Sequence, residues 1–357
     1  MVVAVLAITL TLVLVVGIHE AGHAFAARLF AVKIKRISIG FGKPLLLWTS
    51  HSGCEWVWGL WPLGGYVQLL NTRISPVKPS ELIHCFDKKP IWQRLIILSA
   101  GAIANIVTAW VALVLVFLMG IQYQLPQIQT VTANSLAAHA EISAGDQFVA
   151  INDNLTPSWR EVGMQLVMLW GKPEVKVRMQ KANSQAIKEF NLNLSQIHFS
   201  GKEKSLLNAI GLSPNLVAPQ SVLKAPSLGA AMHNANATIG QLLYFFLKVL
   251  QQLLSGIIPF SVLLGPVGLF AASVASLSQG LVIFLYFIAT LSLAVGLINV
   301  FPVPGLDGGS MVYALIEKMR GKPVSVAMEI LVYQTVVIVF ALLLVQLLIN
   351  DLQRFYS

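Results

Sequence analysis

Apolar and polar positions divide the chain into long apolar runs and one stretch that alternates. Residues 1–18 carry no charge, and the apolar run continues to about residue 27. Similar runs cover about 95–121, 281–301 and 326–348. Each reaches the roughly 20 residues that a helix needs to cross a bilayer. A fifth apolar region, about 239–277, is interrupted. Lys248, Gln251 and Gln252 lie near its start, and Gly256, Pro259, Gly265 and Pro266 break it. Its first half, "IGQLLYFFLKVLQQLL", predicts an amphipathic helix lying in the interface. A fifth span is the alternative reading of the same residues.

The stretch 126–194 has a different texture. Short β-rich runs, "IQTVTANS", "QFVAIND", "EVKVRMQ" and "EFNLNL", are separated by polar turns, which predicts a small soluble domain. Within it, "NSLAAHAEISAGDQFVAINDN" places a small-residue helix before the Gly145-Asp146 turn and a strand. This resembles a PDZ domain of the bacterial protease type. The resemblance implies an α/β module that binds extended peptide along a sheet edge.

Composition agrees with a membrane protein. The chain is 56% hydrophobic and 11% charged, against about a quarter charged in soluble domains. Its net charge of +9 is unevenly distributed. Between the first two spans lie ten basic residues, from Arg28 to Arg94, against Glu55, Glu81 and Asp87. The positive-inside rule puts this loop in the cytoplasm and the N-terminus outside. Four spans return the C-terminus outside, and the loop with Lys318, Arg320 and Lys322 is again cytoplasmic. The inner membrane is the expected location, with both termini and the soluble domain extracytoplasmic. Cys54 and Cys85 fall on the cytoplasmic side, where thiols stay reduced, so no disulfide is expected. "AFA" at 24–26 mimics a signal-peptidase site, but no basic n-region precedes it. No basic stripe with interleaved aromatics points to nucleic acid.

Chemistry enters at "VVGIHEAGHAFAARLF". His19 and His23 are four residues apart on a helix, one turn from each other on one face, with Glu20 between them. Two imidazoles so placed can reach one Zn²⁺, and the glutamate then stands where it can take a proton from bound water. Ionisable groups in a span cost several kcal/mol, so they mark function by default. The alternative is a histidine pair at a water-exposed helix end, which leaves Glu20 unexplained. A catalytic zinc usually has three protein ligands. Asp307, in "NVFPVPGLDGGSMVYAL", is the carboxylate that qualifies at membrane depth; Glu317, Glu329 and Asp351 lie beyond that break. Its alternative role is a capping aspartate for a helix starting at Ser310. His51, His84, His139, His198 and His233 are expected to be solvated.

Together, HExxH in the first span and Asn299, Pro302, Pro304, Leu306, Asp307, Gly308 and Gly309 near the third resemble the site-2 intramembrane metalloproteases. The likeness is nearest to their bacterial regulator-of-sigma-E protease branch. "FGKP" at 41–44, "WPLGGYVQLL" at 61–70, "IWQRLIILSAGAIANIV" at 91–107 and "LLGPVGL" at 263–269 match in order. The resemblance implies Zn²⁺ on His19, His23 and Asp307, with Glu20 as the catalytic base. It implies a membrane re-entrant β-loop at Gly64, Gly65, Tyr66 and Val67 that holds unwound substrate, and asparagines Asn105 and Asn299 that bind its backbone; interhelical hydrogen bonding is the alternative for each. The implied substrates are single-span membrane proteins, either anti-sigma factors after a first extracytoplasmic cut or remnant signal peptides. Two departures stand out. Gly101-Ala102 replaces a Gly-Pro, and there is room for one PDZ domain where better-known members carry two. A membrane metal transporter, or an inactive PDZ-bearing adaptor, is the rival reading; the first wants internal repeats and the second a lost Glu20, and neither is seen.

The expected fold is thus an α-helical membrane protein with about four transmembrane helices. It carries a re-entrant β-loop, an interfacial amphipathic helix and one inserted PDZ-like α/β domain. The expected segments are 1–121 (two spans, HExxH and the β-loop), 122–200 (PDZ-like), 201–278 (linker and interfacial helix) and 279–357 (two spans with LDGG).

Overall fold

The computed structural model describes all residues except 52, 183, 185, 197–205 and 357, so His198 lies outside the described residues. Two compact units emerge. One comprises Met1–Val116, Ala231–Ile239 and Leu264–Ser357; the other comprises Phe117–Ala230 and Gly240–Leu263.

In the first unit, an apolar helix runs over Val2–Leu29. Its Leu12–Gly17 stretch is π-helical, one turn ahead of the histidines. Ala7 and Val15 pack with Phe284 and Ile288 of the helix Leu281–Val300. At mid-helix, the buried Thr11 hydroxyl pairs with Ser273 at 2.8 Å, so neither polar group is left bare in apolar surroundings. Strands Ile34–Thr49 and Glu55–Leu69 come next in the chain. Their register is doubled. Ile37 pairs with Val67 on one side and Trp56 on the other, and Leu47 pairs with Val57 further along. The two chain segments therefore fold into a sheet, with 65–69 at its edge. Cys54 and Cys85 are free and buried, and burial raises both thiols.

A helix at Ile91–Met119 is followed, after the second unit, by Pro266–Ser278, Leu281–Val300, Asp307–Arg320 and Val326–Tyr356. The last of these is fastened by polar contacts near both ends. Arg73 reaches Glu329 at 3.0 Å. Asp351, 2% exposed, accepts the Gly265 and Gly268 amides at 2.9 and 3.0 Å. Those amides open the Pro266–Ser278 helix, where a carboxylate satisfies unpaired donors and complements the dipole.

Among the described residues, five helices are long and apolar enough to cross a membrane, one more than the four expected. The addition is Leu228–Leu254, with hydropathy 1.2 against 2.4 to 2.7 for the other four. It starts eleven residues before the sequence pattern suggests, because Ser227 caps it through the Ala230 amide.

The second unit contains a four-stranded antiparallel sheet, ordered Asn154–Leu155, Gln147–Ile151, Val175–Gln180, Ile187–Leu192. Val175, Val177 and Met179 are buried while Lys176 is exposed, the period of two that a half-buried strand requires. The helix Trp159–Met168 covers this face with Val162 and Leu166. Ser158 caps its start, the hydroxyl accepting the Arg160 amide and donating to the Glu161 carboxylate. Asp146 is buried in its turn, accepting from the Ser143 amide at 2.9 Å and Lys181 at 2.7 Å.

The unit reaches beyond the expected 122–200. Leu212–Pro214 pairs with Ile128–Val131, and Gln220–Leu223 pairs with Ile121–Gln124. The segment read as a linker therefore includes the strands that close the module. Leu253 and Ile258 join its core, and Gln252 donates to the Val167 and Met168 carbonyls at 3.0 and 3.1 Å. The polar residues that interrupt this apolar region are thus partly consumed by packing within the unit.

Candidate active site

The helix bearing HExxH buries its ionisable face: His19, Glu20 and His23 are 7%, 6% and 8% exposed. The π-helical turn ahead of them shifts the phase of every later side chain. Such turns recur at functional sites because the inserted residue re-aims the side chains beyond it.

Asp307 arrives from the other end of the chain. The helix Leu281–Val300 stops before Pro302 and Pro304, and the next helix starts at Asp307 itself. The alternative reading, a capping aspartate for a helix beginning at Ser310, is not what forms. Leu306 holds the N-cap position, and the Asp307 carboxylate turns to the histidines. Arg94, buried beside Phe86, pairs with Glu317 on the Asp307 helix at 2.9 Å and ties it to Ile91–Met119.

Three atoms converge. Asp307 Oδ2 lies 3.2 Å from His19 Nε2 and 3.1 Å from His23 Nε2, and the two Nε2 atoms are 3.2 Å apart. A tetrahedral zinc with bonds of about 2.0–2.1 Å holds its ligand atoms about 3.3 Å apart. The near-equilateral triangle therefore matches one face of that tetrahedron, and the donor set of two imidazoles and a carboxylate suits zinc. His23 Nδ1 donates to the Ile97 carbonyl at 2.7 Å, which leaves Nε2 with its lone pair for a metal.

Gly101 makes room for the group. A Cβ on it would stand 2.3 Å from His23 Nε2 and 2.7 Å from His19 Cε1. The sequence pattern contains this glycine but gives it no role. Gly65 does the same for Glu20: a Cβ there would meet Ser38 O at 2.6 Å and Glu20 Cγ at 3.0 Å. The strand edge thus lies against the acid between the histidines. Gly64 (φ +121°), Tyr66 and Val67 flank it; Tyr66 stacks on Phe41, and Val67 pairs with Ile37.

The two asparagines part company. Asn299 donates one turn back to the Val295 carbonyl at 3.0 Å. Asn105 is fully buried with its amide 3.3 Å from His19 Nδ1. Its Oδ1 has no partner among the described residues. With a metal on His19 Nε2, Nδ1 would carry the proton, and turning the amide by 180° would let Oδ1 accept it. Asn105→Ala is expected to weaken zinc binding about 10–100-fold without removing a ligand, measured by competition with a chromogenic chelator. Asn105→Asp, which keeps the acceptor, should restore most of it. Unchanged zinc affinity in Asn105→Ala would return this residue to simple helix packing. Of the remaining histidines, His51, His139 and His233 are exposed, and His84 bonds to the Ala31 carbonyl.

The peptidase family M50 model matches residues 7–344. The chain belongs to peptidase family M50. Its relatives include a "Regulator of sigma E protease" of Haemophilus influenzae, 28% identical over 97% of both chains. "Regulator of sigma-E protease RseP" of Escherichia coli is 27% identical over 95% of this chain and 96% of its own. A "Putative zinc metalloprotease" of Vibrio cholerae is 26% identical over 98% of both. The Haemophilus alignment extends over 431 positions, more than the 357 residues here, so that relative holds segments this M50 chain lacks. The M50 protein is a multi-pass membrane zinc metalloprotease of the site-2 type.

Proposed function

We propose that His19, His23 and Asp307 hold the zinc and that Glu20 is the general base for peptide hydrolysis inside a membrane. The three-atom convergence carries this reading. Zinc supplies Lewis acidity to a water and to the scissile carbonyl. Glu20 takes the proton from the attacking water and delivers it to the departing amine, so one carboxylate serves both halves of the reaction. The Ile97 carbonyl and Asn105 fix the imidazole orientations. The buried setting excludes bulk water and strengthens each charge interaction.

A transmembrane helix hides its carbonyls in its own hydrogen bonds, so the substrate must be locally extended to be cut. The strand edge at Gly65–Gln68 is the cradle we assign to it. It pairs with Ile34–Ile39 on one side, and among the described residues no other strand takes its second edge. A strand added there would run beside Glu20, held by main-chain bonds rather than by side-chain identity. This gives the expected re-entrant β-loop its function.

Substrates are single-span membrane proteins. The sigma-E names of the relatives, with the family resemblance of the motifs, favour anti-sigma factors after a first outer cut, and remnant signal peptides fit the same requirement. The loop charges put residues 28–94 in the cytoplasm and the PDZ-like module outside. Leu228–Leu254 then lies on the outer surface rather than crossing. Its mean hydropathy of 1.2 and the polar Lys248, Gln251 and Gln252 near its end suit an interfacial helix better than a crossing one.

The module acts as a size filter on the outer side of the substrate. The test is one enzyme with two single-span substrates that share a membrane segment. One has a short outer tail and the other a folded outer domain. The short form should be cut within the membrane and the long form at least about tenfold more slowly, from exclusion alone. Equal cutting of both removes the filter; cutting of neither, with zinc bound, removes the proposed substrate class.

A further inference from the structure

The first unit carries a second feature that the hydrolytic site does not use. A cavity of about 460 Å³ opens where Lys33, Lys35, Arg36 and Lys78 meet Glu55 and Glu81. Four cations face two acids, leaving an excess of positive charge. The existing pairs, Lys33–Glu81 at 2.6 Å and Arg36–Glu55 at 2.5 Å, join partly exposed side chains. Such pairs are worth little and exchange readily with a stronger anion. The Lys35 ammonium donates to a neutral partner, the Ser75 hydroxyl, at 2.9 Å. Lys78 is exposed at the rim.

The cavity shares Arg36 with a second opening. This is a narrower slot of about 110 Å³, walled by Phe41, Pro44, Leu47, Val57 and Tyr66. From there the strand presents Leu45, Leu46, Leu47 and Trp48 to the surroundings, each more than half exposed. Polarity thus falls steadily along one sheet, from a basic chamber through an apolar slot to an apolar strand. A soluble anion would use the first part only. An anionic amphiphile uses all three.

We propose that this chamber and slot bind an anionic phospholipid, with the phosphate among Lys35, Arg36 and Lys78 and an acyl chain along Phe41 and Leu47. The volume falls within the range of about 300–1,000 Å³ common to small-ligand sites, ample for a phosphate with its glycerol. Guanidinium and ammonium groups are suited to phosphate oxygens. Tyr66 walls the slot and is the neighbour of Gly65, whose backbone lies against Glu20. A bound lipid therefore braces the strand edge that borders the acid. Binding itself does not depend on the catalytic assignment and is read without any cleavage assay.

The test uses the full chain purified in detergent and stripped of lipid. Phosphatidylglycerol and phosphatidylcholine are titrated separately and bound lipid is counted by native mass spectrometry. Phosphatidylglycerol should bind saturably and at least tenfold more tightly. Replacing Lys35 and Lys78 together by Gln should weaken it about 25-fold, roughly fivefold for each lysine near an anionic headgroup. Leu47→Gln should weaken both lipids. Lys78→Gln alone, at an exposed position that cannot disturb folding, should still give the single-lysine loss, and zinc content reports an intact fold in each variant. Equal affinity for the two lipids, or an unchanged phosphatidylglycerol affinity in Lys78→Gln and in the double variant, overturns the proposal. So does displacement of phosphatidylglycerol by inorganic phosphate at equal concentration, which would make the chamber a site for free phosphate.

Discussion

Glu20→Gln is expected to keep one zinc per chain and to lose cleavage by about 10²–10⁴-fold, the contribution typical of a general base. The reason lies in which atoms converge. The proposed ligand triangle is the convergence of His19, His23 and Asp307, and the Glu20 carboxylate is not one of its corners. Glutamine keeps the shape of the side chain, so the close approach of Gly65 to Glu20 is unaltered and the strand edge stays where it is. Only the capacity to accept a proton is lost. Elemental analysis of the purified variant, beside single-turnover cleavage of a short-tailed substrate, separates the two effects. If zinc is retained and cleavage persists, the base is another group. If zinc is lost with the activity, Glu20 belongs to the metal shell and the three-ligand assignment is wrong.

How far the sequence discloses this site differs from residue to residue. His19, Glu20 and His23 are legible because a four-residue spacing on a helix has one geometric meaning, and because polar groups in an apolar run demand a reason. Asp307 is legible by position: few carboxylates lie near membrane depth, and only this one sits between a proline break and a glycine pair. The roles of Gly101 and Asn105 are not legible. A glycine in an apolar helix has many uses, and only coordinates reveal that two imidazoles stand where its Cβ would be. An asparagine in a span bonds to something, but pattern does not say whether to a ligand histidine or to substrate. The π-helical turn is hidden for another reason. It changes backbone phase without altering the apolar character of the Leu12–Gly17 run.

The second unit shows the same boundary between pattern and tertiary structure. Its central strands announce themselves by alternation, as in Val175–Gln180. The strands Leu212–Pro214 and Gln220–Leu223 are three and four residues long and lie in a stretch broken by Pro214, Pro219 and Pro226. Their pairing partners are more than 80 residues away, so no local period identifies them. Leu228–Leu254 is ambiguous for a physical reason: one side must meet apolar surroundings whether the helix crosses a bilayer or lies along one. Its end is decided by Leu253 and Gln252 packing into the module, which is a tertiary fact.

Gly101→Ala should abolish the metal site while leaving all three ligands in the chain. The added methyl would need to occupy a point 2.3 Å from His23 Nε2, 2.7 Å from His19 Cε1 and 2.8 Å from His19 Nε2, well inside contact distance. Something must move. Separating the two helices would sacrifice their close packing at Gly22, where a Cβ would lie 2.5 Å from the Ala100 carbonyl. The imidazoles are the parts free to turn, and turning them opens the triangle that fits zinc. His23 would also leave the Ile97 carbonyl that fixes its tautomer. A disturbed orienting partner alone costs about 10–100-fold in metal affinity, so direct displacement of both histidines should cost at least about a hundredfold. Zinc stabilises the wild type in proportion to its binding, and its thermal midpoint in detergent should rise with added zinc. The variant should show little such rise at the same zinc concentration, and no cleavage. Overpacking by one methyl typically costs about 1–3 kcal/mol, so the metal-free forms of both proteins should still fold, and comparing them separates packing damage from loss of the site. A Gly101→Ala protein that binds zinc as tightly as wild type and cuts substrate would mean that the helix yields instead of the histidines. Gly101 would then be a packing residue, and the room for the metal would have to come from elsewhere.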